Sequence, residues 1–252
     1  MKFSICIDMC FSDLEFDKRI EKSMSVGADA VEFWRWTNKD TDKINTPVAV
    51  FNLCSKDENL TNDLLRGILN EGRKEELLSA LVDTLPIYKK LGANGLIALV
   101  GARAETLSYE EQIQNIKDCL LFVKHFLEEN GMQLLVEPLN DIDRKNYFMP
   151  YCKPLFAILR EINSKNIRML YDVYHQNMMG DFSLDEIKEN IDLIGHFHIA
   201  DYPGRHEPYT GNVDYVKIIK TILATGYDGY FGLEYRATKP DGETFGFLKE
   251  CL

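Results

Sequence analysis

The stretch KFSICIDMCFSD, residues 2–13, decides between two folds. Its first half is a short apolar, β-forming run and reads as a strand, while its second half contains no glycine. An open doubly wound α/β sheet places a glycine-rich phosphate turn directly after its first strand, whereas a closed (β/α)8 barrel has no such need. The absence of glycine favours the barrel, provided that seven comparable strands follow. Seven do: ADAVEF (28–33), VAVFNL (48–53), GLIALV (95–100), QLLVEP (133–138), IRMLYD (167–172), LIGHFHI (193–199) and YFGLEY (230–235). Helical patterns lie between them, and this alternation marks βα units around a parallel sheet. The clearest helix opens at Ser108 with Glu111 three residues on, a capping-box spacing. It continues through Ile113, Ile116, Leu120, Val123 and Leu127 and stops at Asn130-Gly131. A second, around Leu77, Leu81 and Leu85, contains Pro86, which is expected to kink or break it. The fold expected is a single (β/α)8 TIM barrel domain over residues 1–252.

Composition narrows the function. With 29 Lys and Arg against 40 Asp and Glu, the formal charge is -11, which repels phosphate backbones and anionic lipid surfaces. No nucleic-acid or membrane partner is expected. The six cysteines, Cys6, Cys10, Cys54, Cys119, Cys152 and Cys251, have neither CxxC spacing nor the density of a secreted disulfide framework, and acids at Asp8 and Asp13 interrupt the N-terminus before any long apolar run. A cytoplasmic protein with small, buried thiols is expected.

Barrel enzymes place their chemistry at the C-terminal ends of the strands. Glu32, Asn52, Glu137, Asp172, His198 and Glu234 stand at those ends. Three of the carboxylates, with His198, fall at one relative point of consecutive units and would converge near the axis. Crowded there, they would repel one another unless a cation neutralised them, so one divalent metal held by Glu137, Asp172, His198 and Glu234 is expected. This hard, oxygen-rich set suits Mg²⁺ or Mn²⁺, with Co²⁺ or Zn²⁺ as alternatives. Glu32 is read either as a substrate contact or as a supporting or capping carboxylate. His196 shares a strand face with His198 and is read as packed and hydrogen bonded, and His125 as a surface residue of its helix. Trp36 would form an apolar wall over the site, the plain alternative being core packing. His175, three residues past Asp172, would reach back over the opening as a donor to a substrate oxygen.

The segments VEPLN (136–140), YDVYHQNMMGD (171–181), HFHIADYPGRHEPYTGNVDY (196–215) and GLEYR (232–236) resemble the hydroxypyruvate isomerase family of the xylose-isomerase-like barrel superfamily. The resemblance runs in order along nearly the whole chain, and PGRHEP is its most specific element. It implies that Glu137 and Glu234 are paired catalytic carboxylates, that with Asp172 and His198 they hold the metal, and that His175 and Arg205 contact the substrate. Asn52, Trp36 and Glu32 complete the expected substrate contacts. The PGRHEPYTG loop would fold Arg205 over a substrate carboxylate, with His206 and Glu207 organising the loop or an oligomer contact. Two positions depart from the family pattern: His198, where hydroxypyruvate isomerases often carry Gln and ketose 3-epimerases His, and Tyr209, where a small or acidic residue is usual. The activity implied is metal-dependent isomerisation of an α-hydroxycarbonyl compound through an enediolate, hydroxypyruvate to tartronate semialdehyde first, 2-oxo-tetronate isomerase or ketose 3-epimerase second. An apurinic-site endonuclease would need more rim histidines than five in all and a basic groove, and a non-catalytic binder leaves the paired carboxylates unexplained. A homo-oligomer is expected by resemblance alone.

Overall fold

A computed structural model describes residues 1–239 and 245–247. Eight strands alternate with the helices: β1 (Lys2–Cys6), β2 (Ala30–Phe33), β3 (Val48–Asn52), β4 (Gly95–Leu99), β5 (Leu134–Glu137), β6 (Ile167–Asp172), β7 (Ile194–Ile199) and β8 (Tyr230–Leu233). Each pairs in parallel with its sequence neighbours, and β8 closes on β1 through Lys2↔Tyr230 to Ile5↔Leu233. The helices are α1 (Phe16–Ser25), α2 (Glu58–Leu64), α3 (Lys74–Leu91), α4 (Tyr109–Asn130), α5 (Cys152–Ile162), α6 (Val173–Met178), α7 (Leu184–Glu189) and α8 (Tyr215–Leu223). Among the described residues, no helix is long and apolar enough to cross a membrane. Cys6, Cys10, Cys54, Cys119 and Cys152 are free and buried, and Cys251 lies outside the described residues.

Local chemistry explains the element ends. The Ser108 hydroxyl accepts from the Glu111 amide (3.1 Å) and the Glu111 carboxylate accepts from the Ser108 amide (2.8 Å), while Gly131 ends α4 in the left-handed region at φ 62°. On the apolar stripe of α4, Ile116, Leu120, Val123 and Leu127 are fully buried and Ile113 is half-buried. β1 is shorter than its apolar run, because the amides of Met9 and Cys10 fold back onto the Cys6 carbonyl. Of the two outcomes expected at Pro86, a break does not occur: α3 runs unbroken over 18 residues. The carbonyl that loses its partner belongs to Val82, half exposed, where water can satisfy it, while buried Leu77, Leu81, Thr84 and Tyr88 hold the other face.

Alternation along β7 sends Phe197 outward among Tyr171, Tyr227 and Phe231, and His196 and His198 inward. The inner layer beneath the barrel mouth is polar: the Ser4 hydroxyl donates to Glu32, which also meets both histidines. β8 accommodates this layer by offering Gly232, where a Cβ would lie 2.5 Å from Glu32 Oε1 and 2.7 Å from His196 Nε2. Asp172 and His198 are direct register partners, and His198 pairs Gly232, two residues before Glu234. Parallel register thus brings the polar strand ends to one level.

Candidate active site and metal centre

At the barrel mouth, Glu137, Asp172, His198 and Glu234 each offer a ligand atom within 4.8 Å of the others, and all four are buried. His198 Nδ1 lies 3.6 Å from Glu137 Oε1 and 3.3 Å from Glu234 Oε2. Three of these atoms, Glu137 Oε1, Asp172 Oδ2 and His198 Nδ1, are buried and make no hydrogen bond. Buried polar atoms are ordinarily paired, so three converging orphans describe a cradle for a cation. The donor set of three carboxylates and one imidazole fits a divalent ion.

Each member is aimed by its neighbours. Asp172 is both the end of β6 and the N-cap of α6: its Oδ1 accepts from the amides of Tyr174 (2.8 Å) and His175 (3.3 Å), leaving Oδ2 for the cradle. The Glu137 carbonyl accepts from the Tyr147 hydroxyl (2.9 Å), which itself accepts from the Val100 amide. His198 Nε2 lies 3.0 Å from Glu32 Oε2 and His196 Nε2 2.8 Å from Glu32 Oε1, so one carboxylate orients two imidazoles. The contact with His198 is a hydrogen bond, whereas His196 Nε2 approaches Glu32 Oε1 without one. With Nε2 engaged by Glu32, Nδ1 is the atom His198 presents to the cradle.

The electrostatics follow from burial and partners. Burial would raise Glu234, but Arg205 and His198 hold it well below the usual carboxylate range. Burial disfavours the His198 cation, yet Glu234 and Glu32 push it well above the ordinary imidazole value. Asp172 is pushed up to about 7, chiefly by burial, which Arg205 and His198 oppose and Glu137 and Glu234 reinforce. Burial, followed by the charge of Arg205, holds His175 well below the ordinary value, so it is neutral. Its Nδ1 accepts from the Asn140 amide (3.2 Å), which leaves the hydrogen on Nε2, an atom without a hydrogen-bond partner 3.5 Å from Asp172 Oδ2.

Arg205 reaches the cluster from the loop after β7. Its Nη2 donates to Glu234 Oε2 and lies 3.7 Å from Asp172 Oδ2, and its guanidinium stacks 5.3 Å from the Tyr174 ring centre. Buried Asp201 folds the loop, accepting from the amides of Tyr202 (2.8 Å), Gly211 (3.0 Å) and Val213 (3.4 Å). Glu207 accepts from the Thr238 amide and hydroxyl, and His206 Nδ1 meets the Arg236 carbonyl at 2.8 Å, so both organise the loop. Above the cluster lies a cavity of about 190 Å³, lined in part by Trp34, Asn52, Glu137, His175, Arg205 and Glu234. That is below the roughly 300–1,000 Å³ typical of drug-sized ligands and suits a substrate of few heavy atoms.

The sequence pattern of the xylose isomerase-like TIM barrel family matches residues 20–251. This chain belongs to that family. Within it, the hydroxypyruvate isomerase of Escherichia coli K12 is 28% identical over 241 residues, covering 94% of this chain and 93% of its relative. The 2-oxo-tetronate isomerase of Cupriavidus necator is 34% identical over 134 residues, covering 53% of this chain and 51% of the other. Among solved structures, the family 2 AP endonuclease of Brucella melitensis superposes with a TM-score of 0.87 at 24% identity and covers 98% of each chain, a likeness of fold.

Of the residues expected at this family's barrel mouth, Glu137, Asp172, His198 and Glu234 come together, and His175, Arg205 and Asn52 border the same cavity. Two stand elsewhere. Glu32 lies one layer below, between His196 and His198. Trp36 packs against the core with its indole donating to Thr84 Oγ1 (3.2 Å), and Trp34 lines the cavity instead, its Nε1 donating to Glu234 Oε1 (2.8 Å). Strand parity carried the signal: if Glu32 points inward, so does Trp34 two residues later. Tyr209 lies outside the cavity lining and meets the Phe247 ring edge-on at 6.3 Å. Arg35, Asp143 and Arg144 also line the cavity, and sequence reasoning passed over them. Their signal was position, in loops that follow β2 and β5.

Proposed function

We propose that this chain is a metal-dependent isomerase that moves a proton between the two carbons of a small α-hydroxycarbonyl substrate, with hydroxypyruvate and tartronate semialdehyde as its pair. The observation that carries this reading is the facing pair Glu137 and Glu234 around three unpartnered buried ligand atoms, open to a small cavity. The relationship to the Escherichia coli hydroxypyruvate isomerase supports the substrate.

Glu137, Asp172, His198 and Glu234 would hold one divalent ion, Mg²⁺ or Mn²⁺ by the hardness of the set, with Co²⁺ or Zn²⁺ as alternatives. When bound, the ion supplies Lewis-acid polarisation of the substrate carbonyl, which acidifies the adjacent C–H. One of Glu137 and Glu234 takes that proton, and the resulting enediolate is reprotonated on the neighbouring carbon while the hydroxyl proton moves to the former carbonyl oxygen. Glu234 is kept ionised by Arg205 and His198. His175, neutral with its hydrogen on Nε2, donates to a substrate oxygen. Positioned acid–base groups of this kind are worth roughly 10²–10⁴-fold each.

The test is proton NMR in D₂O of metal-stripped protein, then with Mg²⁺, Mn²⁺, Co²⁺ or Zn²⁺ restored, against hydroxypyruvate, 2-oxo-tetronates and ketoses. Metal-dependent conversion of hydroxypyruvate with deuterium incorporation is expected. Glu137→Gln and Glu234→Gln should each lose exchange at least 10²-fold while remaining folded. Turnover confined to 2-oxo-tetronates would favour the second reading, which the Cupriavidus relative supports. Turnover confined to a ketose would assign an epimerase. Cleavage of an abasic duplex would be needed for an endonuclease, which the charge of -11 opposes.

A further inference from the structure

Three arginines line the cavity, Arg35, Arg144 and Arg205, and they are not equivalent. Arg205 donates to Glu234 and stands 3.7 Å from Asp172, so its charge is matched by two carboxylates. Arg35 meets both oxygens of Glu58 through Nη2, at 2.8 and 2.7 Å, so its charge is matched as well. Arg144, on the exposed loop after β5, forms no ion pair with any described residue. The neighbouring Asp143 is turned away from it, accepting from Asn140 Nδ2 (3.1 Å) and the Tyr174 hydroxyl (2.9 Å). Arg144 lines the same cavity as His175, Glu137 and Glu234, so it borders the space in which the reacting end would lie.

A substrate carboxylate placed beside Arg205 would also meet Glu137, Asp172 and Glu234 and be repelled by them. On a protein of charge -11, an anion entering the mouth needs a cation whose charge is not already matched. We propose that Arg144 is the specificity-determining residue that reads the substrate carboxylate and so sets a preference for an α-hydroxycarbonyl acid over its neutral counterpart. This rests on the isomerase reading of the site. Arg144 supplies a planar, permanently charged fork of donors, the geometry suited to a carboxylate, and Arg205 is left to position Glu234.

The test uses the metal-restored protein with hydroxypyruvate and with dihydroxyacetone, which has the same carbon skeleton but a hydroxymethyl group in place of the carboxylate. Arg144→Gln should lower kcat/KM for hydroxypyruvate about 10- to 100-fold, mostly through KM, and leave dihydroxyacetone turnover within about threefold. Arg144→Lys should restore part of the loss, keeping the charge without the fork. Binding of D-glycerate, followed by calorimetry, should weaken in Arg144→Gln by the same order. Equal losses on both substrates would overturn the assignment, as would a selective loss in Arg35→Gln but not in Arg144→Gln. Wild-type preference for the neutral compound would overturn it while leaving the isomerase reading intact. If neither compound nor any other α-hydroxycarbonyl is turned over with any of the four metals, the isomerase reading falls and this assignment with it.

Discussion

Glu32 serves two histidines at once, and that double contact separates a supporting carboxylate from a ligand. Its pKa, which burial would raise, is brought down to about 2 by His196 and His198, so it remains ionised and holds His198 by Nε2. In Glu32→Gln the amide NH₂ would face one of the two imidazoles as a donor and favour the tautomer with the hydrogen on Nδ1, the atom that should bind the cation. Metal affinity is therefore expected to fall about 10- to 100-fold, the usual effect of losing an outer partner of a ligand histidine. Calorimetry with Mn²⁺ checks it, and an unchanged affinity would reduce Glu32 to packing. Glu137, Asp172, His198 and Glu234 were legible because barrel geometry converts "end of a strand" into a place. Glu32 was ambiguous because it lies one position before its strand's end and one layer lower, a depth that spacing alone does not encode. Trp34 was missed for a related reason: it lies one residue past Phe33, the end of β2, so the parity that turns Glu32 inward had to be carried beyond the strand.

At the scale of elements, the strands and the capped helix α4 were legible because their signals are local. Pro86 shows where a local rule stops: it costs a helix a hydrogen bond, but whether the helix breaks depends on what else holds it. Pro86→Ala restores the donor toward Val82 without touching the buried face, so the protein should gain about 1–3 kcal/mol, seen as a higher urea midpoint at unchanged slope. No gain would mean that water already satisfies that carbonyl in full. The loop after β7 was legible as a turn-rich stretch carrying Arg205, whereas its organiser, Asp201, was not. Its partners at Tyr202, Gly211 and Val213, and the tie from Glu207 to Thr238, span separations that no motif records. Asp201→Asn would set an amide NH₂ against backbone N–H donors and leave at least one of them unpaired. A loss of about 1–3 kcal/mol is expected, together with a fall in exchange rate as Arg205 loses its anchor. If thermal unfolding moves while exchange does not, the loop does not position Arg205.

For the molecule as a whole, the barrel concentrates three buried carboxylates in a chain that already carries a charge of -11. Without a cation the cluster relies on Arg205 and on a protonated His198 for balance, with Asp172 pushed up to about 7 by burial. A divalent ion that binds the folded barrel and not the open chain removes this repulsion, so it must stabilise by mass action: about 2.7 kcal/mol when the free ion stands at 100 times its dissociation constant. For a chain of this size that corresponds to a rise of about 5–11 °C in Tm. Thermal unfolding of chelator-treated protein, repeated with each of Mg²⁺, Mn²⁺, Co²⁺ and Zn²⁺, should therefore show a concentration-dependent rise for at least one of them. Glu137→Gln, which takes a charge from the cradle, should raise the Tm of the metal-free protein by relieving repulsion and shrink the metal-dependent increment. That opposite pair of shifts distinguishes a cation site from a structural acid cluster, in which the same substitution would lower Tm and no ion would restore it. If none of the four ions raises Tm, Arg205 and His198 are the permanent counter-charges of the cluster, and proton transfer at Glu137 and Glu234 would have to proceed with those two cations alone.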